Sequence, residues 1–149
     1  MKFFVSLFVF QLFFILPSFA QIREIPAIVE ETFANQYPRA THIDFKDFVV
    51  KVQVHFEQDG ELYMATYTNK GLWKGTEKAY EFDKLSDTVK DGFQKSKYAD
   101  DNWEIEETAI LYLPGGSEQY RVLVRKNDVQ KKYLFFNDKG RLLRTAVTL

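Results

Sequence analysis

The sequence predicts an α+β protein of two layers, built from two tandem repeats, each a helix followed by four antiparallel strands. Three observations lead there. One stretch occurs twice: Tyr63-Met64-Ala65-Thr66-Tyr67-Thr68-Asn69-Lys70-Gly71-Leu72-Trp73 is echoed by Lys132-Tyr133-Leu134-Phe135-Phe136-Asn137-Asp138-Lys139-Gly140-Arg141-Leu142. Apolar residues at helical spacing recur sixty positions apart, with Ile25, Val29 and Phe33 matching Leu85, Val89 and Phe93. Between the helical segments and the repeated stretch, apolar and polar residues alternate with period two, as in strands with one dry and one wet face.

The first twenty residues stand apart from the fold. Lys2 gives a short positive region, and Phe3 to Leu16 an apolar run interrupted by Ser6 and Gln11. Pro17 breaks the run, and Ser18-Phe19-Ala20 offers small residues where a signal peptidase reads. The expected organisation is a signal peptide over 1–20, cleaved between Ala20 and Gln21, then a first repeat over 21–83 and a second over 84–149. The apolar run is shorter than the roughly 20 residues a membrane span needs. The two repeats are expected to form one compact domain, periplasmic or secreted.

In the first repeat, Ile25, Ile28, Val29, Phe33 and Tyr37 form one face of a helix that Pro26 opens and Tyr37-Pro38 closes. Ile43 and Phe45, then Val50, Val52, Val54 and Phe56, alternate with polar residues and read as two strands. The alternation suggests a hairpin turning near Phe48-Val49, with Ile43 opposite Val54, Phe45 opposite Val52 and His42 opposite His55. Gln58-Asp59-Gly60-Glu61 is a turn, and the first copy of the repeated stretch supplies a hairpin whose Asn69-Lys70-Gly71 tolerates positive φ.

The second repeat starts at Leu85, with a helix that Gly92 weakens by about 1 kcal/mol relative to Ala, so packing must hold it. A strand runs from Trp103 to Leu113, Pro114-Gly115-Gly116-Ser117 turns, and Tyr120, Val122 and Val124 line the next strand. Asn127-Asp128 leads into the second hairpin. The offset between copies grows from sixty at the helices to sixty-nine at the Lys-Gly turns, which insertions in the loops explain. Two copies at so long a period indicate a duplication and not a solenoid array.

Composition narrows the chemistry. Without the leader the chain keeps nineteen basic and twenty-one acidic residues, a formal charge of −2, which is no footprint for nucleic acid or an anionic membrane. There is no cysteine, so thiol catalysis, iron–sulfur clusters and thiolate zinc sites are excluded, and the core alone must hold an exported fold. His42 and His55, if opposite, would bring two imidazoles within about 5 Å with Asp44 diagonal to them. Three ligands on an open sheet make a poor cage, and solvent-facing strand histidines are the plainer reading. No metal and no cofactor is expected. Glu104 and Glu106, next to Glu107, alternate with apolar residues as a wet strand face does. Ser117 has neither a nucleophile elbow nor a placed histidine, so no enzyme is expected.

Ile25-Pro26-Ala27, Phe33, Tyr37-Pro38, Ala40-Thr41, Tyr63, Ala65, Tyr67 and Lys70-Gly71 resemble the PepSY-like, β-lactamase-inhibitor-like group of small exported proteins of Bacteroidetes-type bacteria. Leu85, Val89, Phe93, Tyr98, Tyr133, Phe136 and Asp138-Lys139-Gly140 carry the resemblance through the second copy. Asp44-Phe45 stands where that group commonly has Trp, and Ser86 where the first copy has Pro26. The resemblance implies tandem helix-plus-four-strand repeats, similar to the β-lactamase-inhibitor-like fold. It carries no inhibitory loop over residue by residue.

Aromatic surplus is the remaining signal. Trp73, Trp103, Tyr112, Tyr133 and Phe135 exceed what two short helices can cover, and in the second hairpin both strand faces are apolar. Either the repeats pack together there, or an open face binds a partner through aromatic anchors. The expected function is a non-catalytic exported module that recognises a protein, peptide or envelope component over its sheet, with Trp73, Tyr133 and Phe135 as contacts. Hydrolase inhibition is its sharper form. A structural or assembly accessory that self-associates is the alternative.

Overall fold

The computed structural model describes residues 24–148, so the leader and its cleavage site lie outside the described residues. Helix α1 (Ala27–Gln36) is followed by β1 (Thr41–Phe48), β2 (Lys51–Gln58), β3 (Glu61–Thr68) and β4 (Trp73–Tyr80). Helix α2 (Asp87–Gln94) is followed by β5 (Glu104–Leu113), β6 (Ser117–Arg125), β7 (Lys131–Phe136) and β8 (Leu142–Val147). The helix-plus-four-strand unit therefore occurs twice.

All eight strands lie in one antiparallel sheet, in the order β1 to β8. The halves join where β4 pairs with β5, from Thr76 opposite Tyr112 to Tyr80 opposite Thr108. They sit side by side, not face to face, so the apolar surplus of the second hairpin is not inter-repeat packing.

Both helices cover the same side of the sheet, each over its own half. Val29 and Phe33 of α1 pack on Val52, Val54, Phe56, Ala65 and Tyr67. The Phe33 ring meets Phe56 edge-on at 5.0 Å, a favoured aromatic geometry. Val89 and Phe93 of α2, with Leu85 and Tyr98, pack on Val122, Val124, Leu134 and Phe136. Pro26 and Ser86 occupy the same place, each the N-cap of its helix. Ser86 does what Pro26 cannot: its hydroxyl accepts the Val89 N–H at 3.4 Å.

The repeated Lys-Gly turns are built alike. The Thr68 N–H donates to the Leu72 carbonyl and the Gly71 N–H to Thr68; the Asn137 N–H donates to Arg141 and the Gly140 N–H to Asn137. Gly71 and Gly140 have φ of +78° and +71°. Each turn also tucks under its own helix. A Cβ on Gly71 would press on Ile28, and one on Gly140 would collide with the Thr88 carbonyl. Gly92 completes the second contact, because its Cβ would strike the backbone of Gly140. Packing, as the sequence requires, is what makes this helical glycine useful.

One register expectation is corrected. Phe45 opposes Val54, not Val52, and Asp44, not His42, opposes His55. The two-residue turn falls at Val49-Val50, not Phe48-Val49, and this moves every pair from Phe48–Lys51 to Asp44–His55 by two residues. Beyond them lies an irregularity between Thr41 and Asp44, with His42 at a φ of +50°. Such a bulge adds a residue to one strand and cannot be read from alternation.

Candidate docking face

Strand alternation places the side of the sheet away from the helices in view. On β4 to β7 that side carries Glu77 and Ala79, Glu107 and Ala109, Arg121 and Leu123, Tyr133 and Phe135, as the pairing registers require. Among the described residues no element covers it. A shallow cleft of about 470 Å³ lies there, with Leu62 and Met64 on one flank and Arg121 and Tyr133 on the other. Its floor is Ala79 paired with Ala109, so the depression sits on the seam between the halves.

Arg121 organises the cleft. Its Nη1 is 2.6 Å from Glu77 Oε2 and its Nη2 2.6 Å from Glu107 Oε1, tying β6 to β4 and β5. Its side chain is only 14% exposed, so water screens these charges less than at an open surface. The guanidinium lies 4.8 Å from the centroid of Tyr133, within cation–π range. Tyr133 stands 6.4 Å from Phe135, and the Arg144 guanidinium lies 3.4 Å from the Phe135 ring. Two cations thus bracket two rings across β6, β7 and β8. Phe135 is 6% exposed although no helix touches it, so its neighbours on the face cover it.

The expected contact residues divide. Tyr133 and Phe135 come together on this face. Trp73 is on the other side, packed against the first core, with its indole N–H donating to Thr76 Oγ1 at 2.9 Å. Thr76 also hydrogen-bonds Tyr37 Oη at 2.6 Å, and Tyr67 Oη donates to Gln36 Oε1 at 2.8 Å. Burial pushes the Tyr37 and Tyr67 hydroxyls above the usual phenol range. Alternation pointed to Tyr133 and Phe135, whereas Arg121 and Arg144 went unread because their pairing depends on neighbouring strands.

The other candidates are accounted for by their surroundings. His42 Nδ1 is 3.3 Å from Glu57 Oε2, and among the described residues no three His, Cys, Asp or Glu side chains cluster as metal ligands do. Glu104, Glu106 and Glu107 each pair with a cation, Arg125, Lys131 and Arg121 respectively. Ser117 opens β6, four places along the sheet from β2, which bears His55, and five from β1, which bears His42. The face can therefore bind, by apolar contact and charge, but holds no nucleophile beside a base.

Solved structures share this architecture. A DUF2874 family protein from Bacteroides ovatus is 24% identical, with a TM-score of 0.74 over 84% of this chain and 89% of that one. A BLIP-like protein from Bacteroides fragilis is 23% identical, with a TM-score of 0.74 over 86% and 89%. A candidate periplasmic protein from Bacteroides eggerthii is 19% identical, with a TM-score of 0.72 over 84% and 90%. No protein-family model and no curated protein matches the chain. At these identities the likeness establishes the fold: two helices on one eight-stranded antiparallel sheet, the BLIP-like architecture.

Proposed function

We propose that the protein is a non-catalytic, exported binding module that docks a protein or peptide on the open face of its sheet, around the seam cleft. One observation carries this reading: a sheet face that none of the described elements covers presents the Tyr133 ring, braced by Arg121, beside an apolar-floored cleft. Tyr and Arg in such settings are the residues that dominate binding energy at interfaces. Tyr133 is the proposed anchor, Phe135 supports it from beneath its covering neighbours, and Trp73, facing α1, belongs to the scaffold. Export is supported by the leader pattern and by the periplasmic description of one structural neighbour. Inhibition of a hydrolase is a narrower form of the same reading, favoured by the PepSY-like resemblance and by the BLIP-like neighbour.

The test is capture from envelope extract on immobilised protein, run beside Tyr133→Ala and Leu62→Asp, with melting curves to show both variants folded. A saturable partner retained by the parent and lost by both variants supports the reading. Equal retention by all three proteins overturns it. N-terminal sequencing of the exported protein checks the leader, with Gln21 the expected first residue. Self-association is the second reading, favoured by exposed apolar residues on β8, and oligomers growing with concentration in light scattering would support it.

A further inference from the structure

We propose that the outer edge of β8 receives an extended acidic peptide segment, which adds as a ninth strand and sets a carboxylate on Arg144. The inference goes beyond the open-face reading and stands without it.

A strand at the end of a sheet has neighbours on one side only. β8 pairs with β7, and among the described residues no strand pairs with its far side, whose backbone groups are left for another strand. Natural sheets usually guard such edges with bulges or alternating charge. β1, the opposite edge, is guarded in that way: its pairing is irregular between Thr41 and Asp44, His42 takes positive φ, and Asp44 and Lys46 pair at 3.6 Å. β8 carries one irregularity, where Leu143 is an extra residue between Leu142 and Arg144, but from Arg144 to Val147 it pairs in unbroken register, and it exposes Leu142, Leu143 and Val147.

Charge says what fits the edge. From Lys139 to Thr148 there are three basic residues, Lys139, Arg141 and Arg144, and no acidic one. Of the five arginines among the described residues, Arg39, Arg121 and Arg125 pair with carboxylates, while Arg141 and Arg144 at β8 do not. Arg144 is also pre-set. Lying 3.4 Å over the Phe135 ring, it has one planar side occupied and its N–H fork free for a carboxylate. Phe135 and Arg144 are cross-strand partners, so this fork belongs to the open side of the sheet. Residues two apart share a face, so the matching strand alternates an acidic side chain beside Arg144 with apolar ones toward Val147.

A second copy fits less well. Antiparallel pairing of β8 with itself centred on Arg144 sets the two Arg144 side chains opposite each other, and like charges opposed across strands destabilise pairing. Pairing β8 with β1 of another copy meets the irregular, charged stretch at His42 and Asp44.

The probe is a fluorescein-labelled nine-residue peptide alternating Val and Thr with Glu at its centre, compared with Gln-centred and Lys-centred versions by anisotropy. The protein is expressed from its full chain. The Glu peptide is expected to bind about tenfold or more tighter than the other two, the scale of one charge-assisted pair. Arg144→Gln should erase that preference, and Arg144→Glu should reverse it toward Lys. N-methylation of one alternate set of peptide amides should abolish binding, while the other set is tolerated, and this arm leaves the protein unaltered. Equal binding of the three peptides, indifference to Arg144→Gln, or binding that survives both methylation patterns overturns the proposal. So does oligomerisation of the protein without peptide binding.

Discussion

Gly92 shows how far a residue's local value can differ from its value in place. On helix propensity alone, Ala at this position would add about 1 kcal/mol. Here its methyl group would meet the backbone of Gly140, which has no rotamer to yield. Gly92→Ala is therefore expected to destabilise the protein by about 1–3 kcal/mol, the usual cost of overpacking, measured by urea denaturation. A gain in stability would mean that α2 and the turn can separate at no cost. The tyrosines give a second expectation. With folded-state values raised by burial, Tyr37 and Tyr67 favour the protonated form in the native state. Their contribution is complete below pH about 10 and lost as pH rises above it, because unfolded tyrosine ionises first. Tyr120, half-buried and beside Glu118, is pushed up to about 12 and acts in the same direction. Tyrosinate absorbance should rise together with loss of circular dichroism above pH 10. Ionisation well before unfolding would contradict this. The sequence marked Gly92 as a weakness, Tyr37 as part of a helix face and Tyr67 as part of a hairpin; only contacts between elements distant in sequence supply their roles.

The elements were more legible than their seams. Helical spacing marked both helices, alternation marked the strands, and Lys-Gly marked both hairpins, since each signal is local. The β1–β2 register was not legible, because alternation does not mark which two residues turn, and Val49-Val50 are as apolar as the strands they join. The cap of α2 was half visible. Ser86 looked like a departure from Pro26, yet it supplies the side-chain acceptor that α1 lacks. Ser86→Ala is expected to cost about 1 kcal/mol, read as a lower denaturant midpoint with unchanged slope. Pro26→Ala, which removes no side-chain cap, should cost less. The reverse order would assign the stability of α2 to packing alone.

At the scale of the molecule, two cores share one sheet whose halves join where β4 pairs with β5 and are tied again by Arg121 of β6 to Glu77 of β4. Sequence left the relation between the halves open, because α2 and its flanking loops separate those strands and no local pattern pairs them. The candidate site shared that limit: Tyr133 and Phe135 were visible by alternation, while the Ala79–Ala109 floor exists only once the seam is known. Trp73 packs on the first core and Trp103 on the second, so each indole reports its own half. We expect Trp73→Phe and Trp103→Phe to unfold with the same midpoint by fluorescence, within the stability change each substitution makes, and to match circular dichroism. Two separated midpoints would show that the five paired positions at β4–β5 do not couple the halves.

The strand order bears on how the chain folds as it emerges. Every strand pairs with its neighbour in sequence, so no early strand waits for a distant late one. For a chain appearing N-terminus first, α1 through β4 can bury the first core before residue 81 is free. Each later strand then joins an edge already formed, β5 on β4 and so on to β8. Such nearest-neighbour topology keeps loop-closure costs small and favours fast folding for a protein so rich in strand. Each new edge stays open until the next strand appears, and β4 waits longest, because α2 and its flanking loops come before β5.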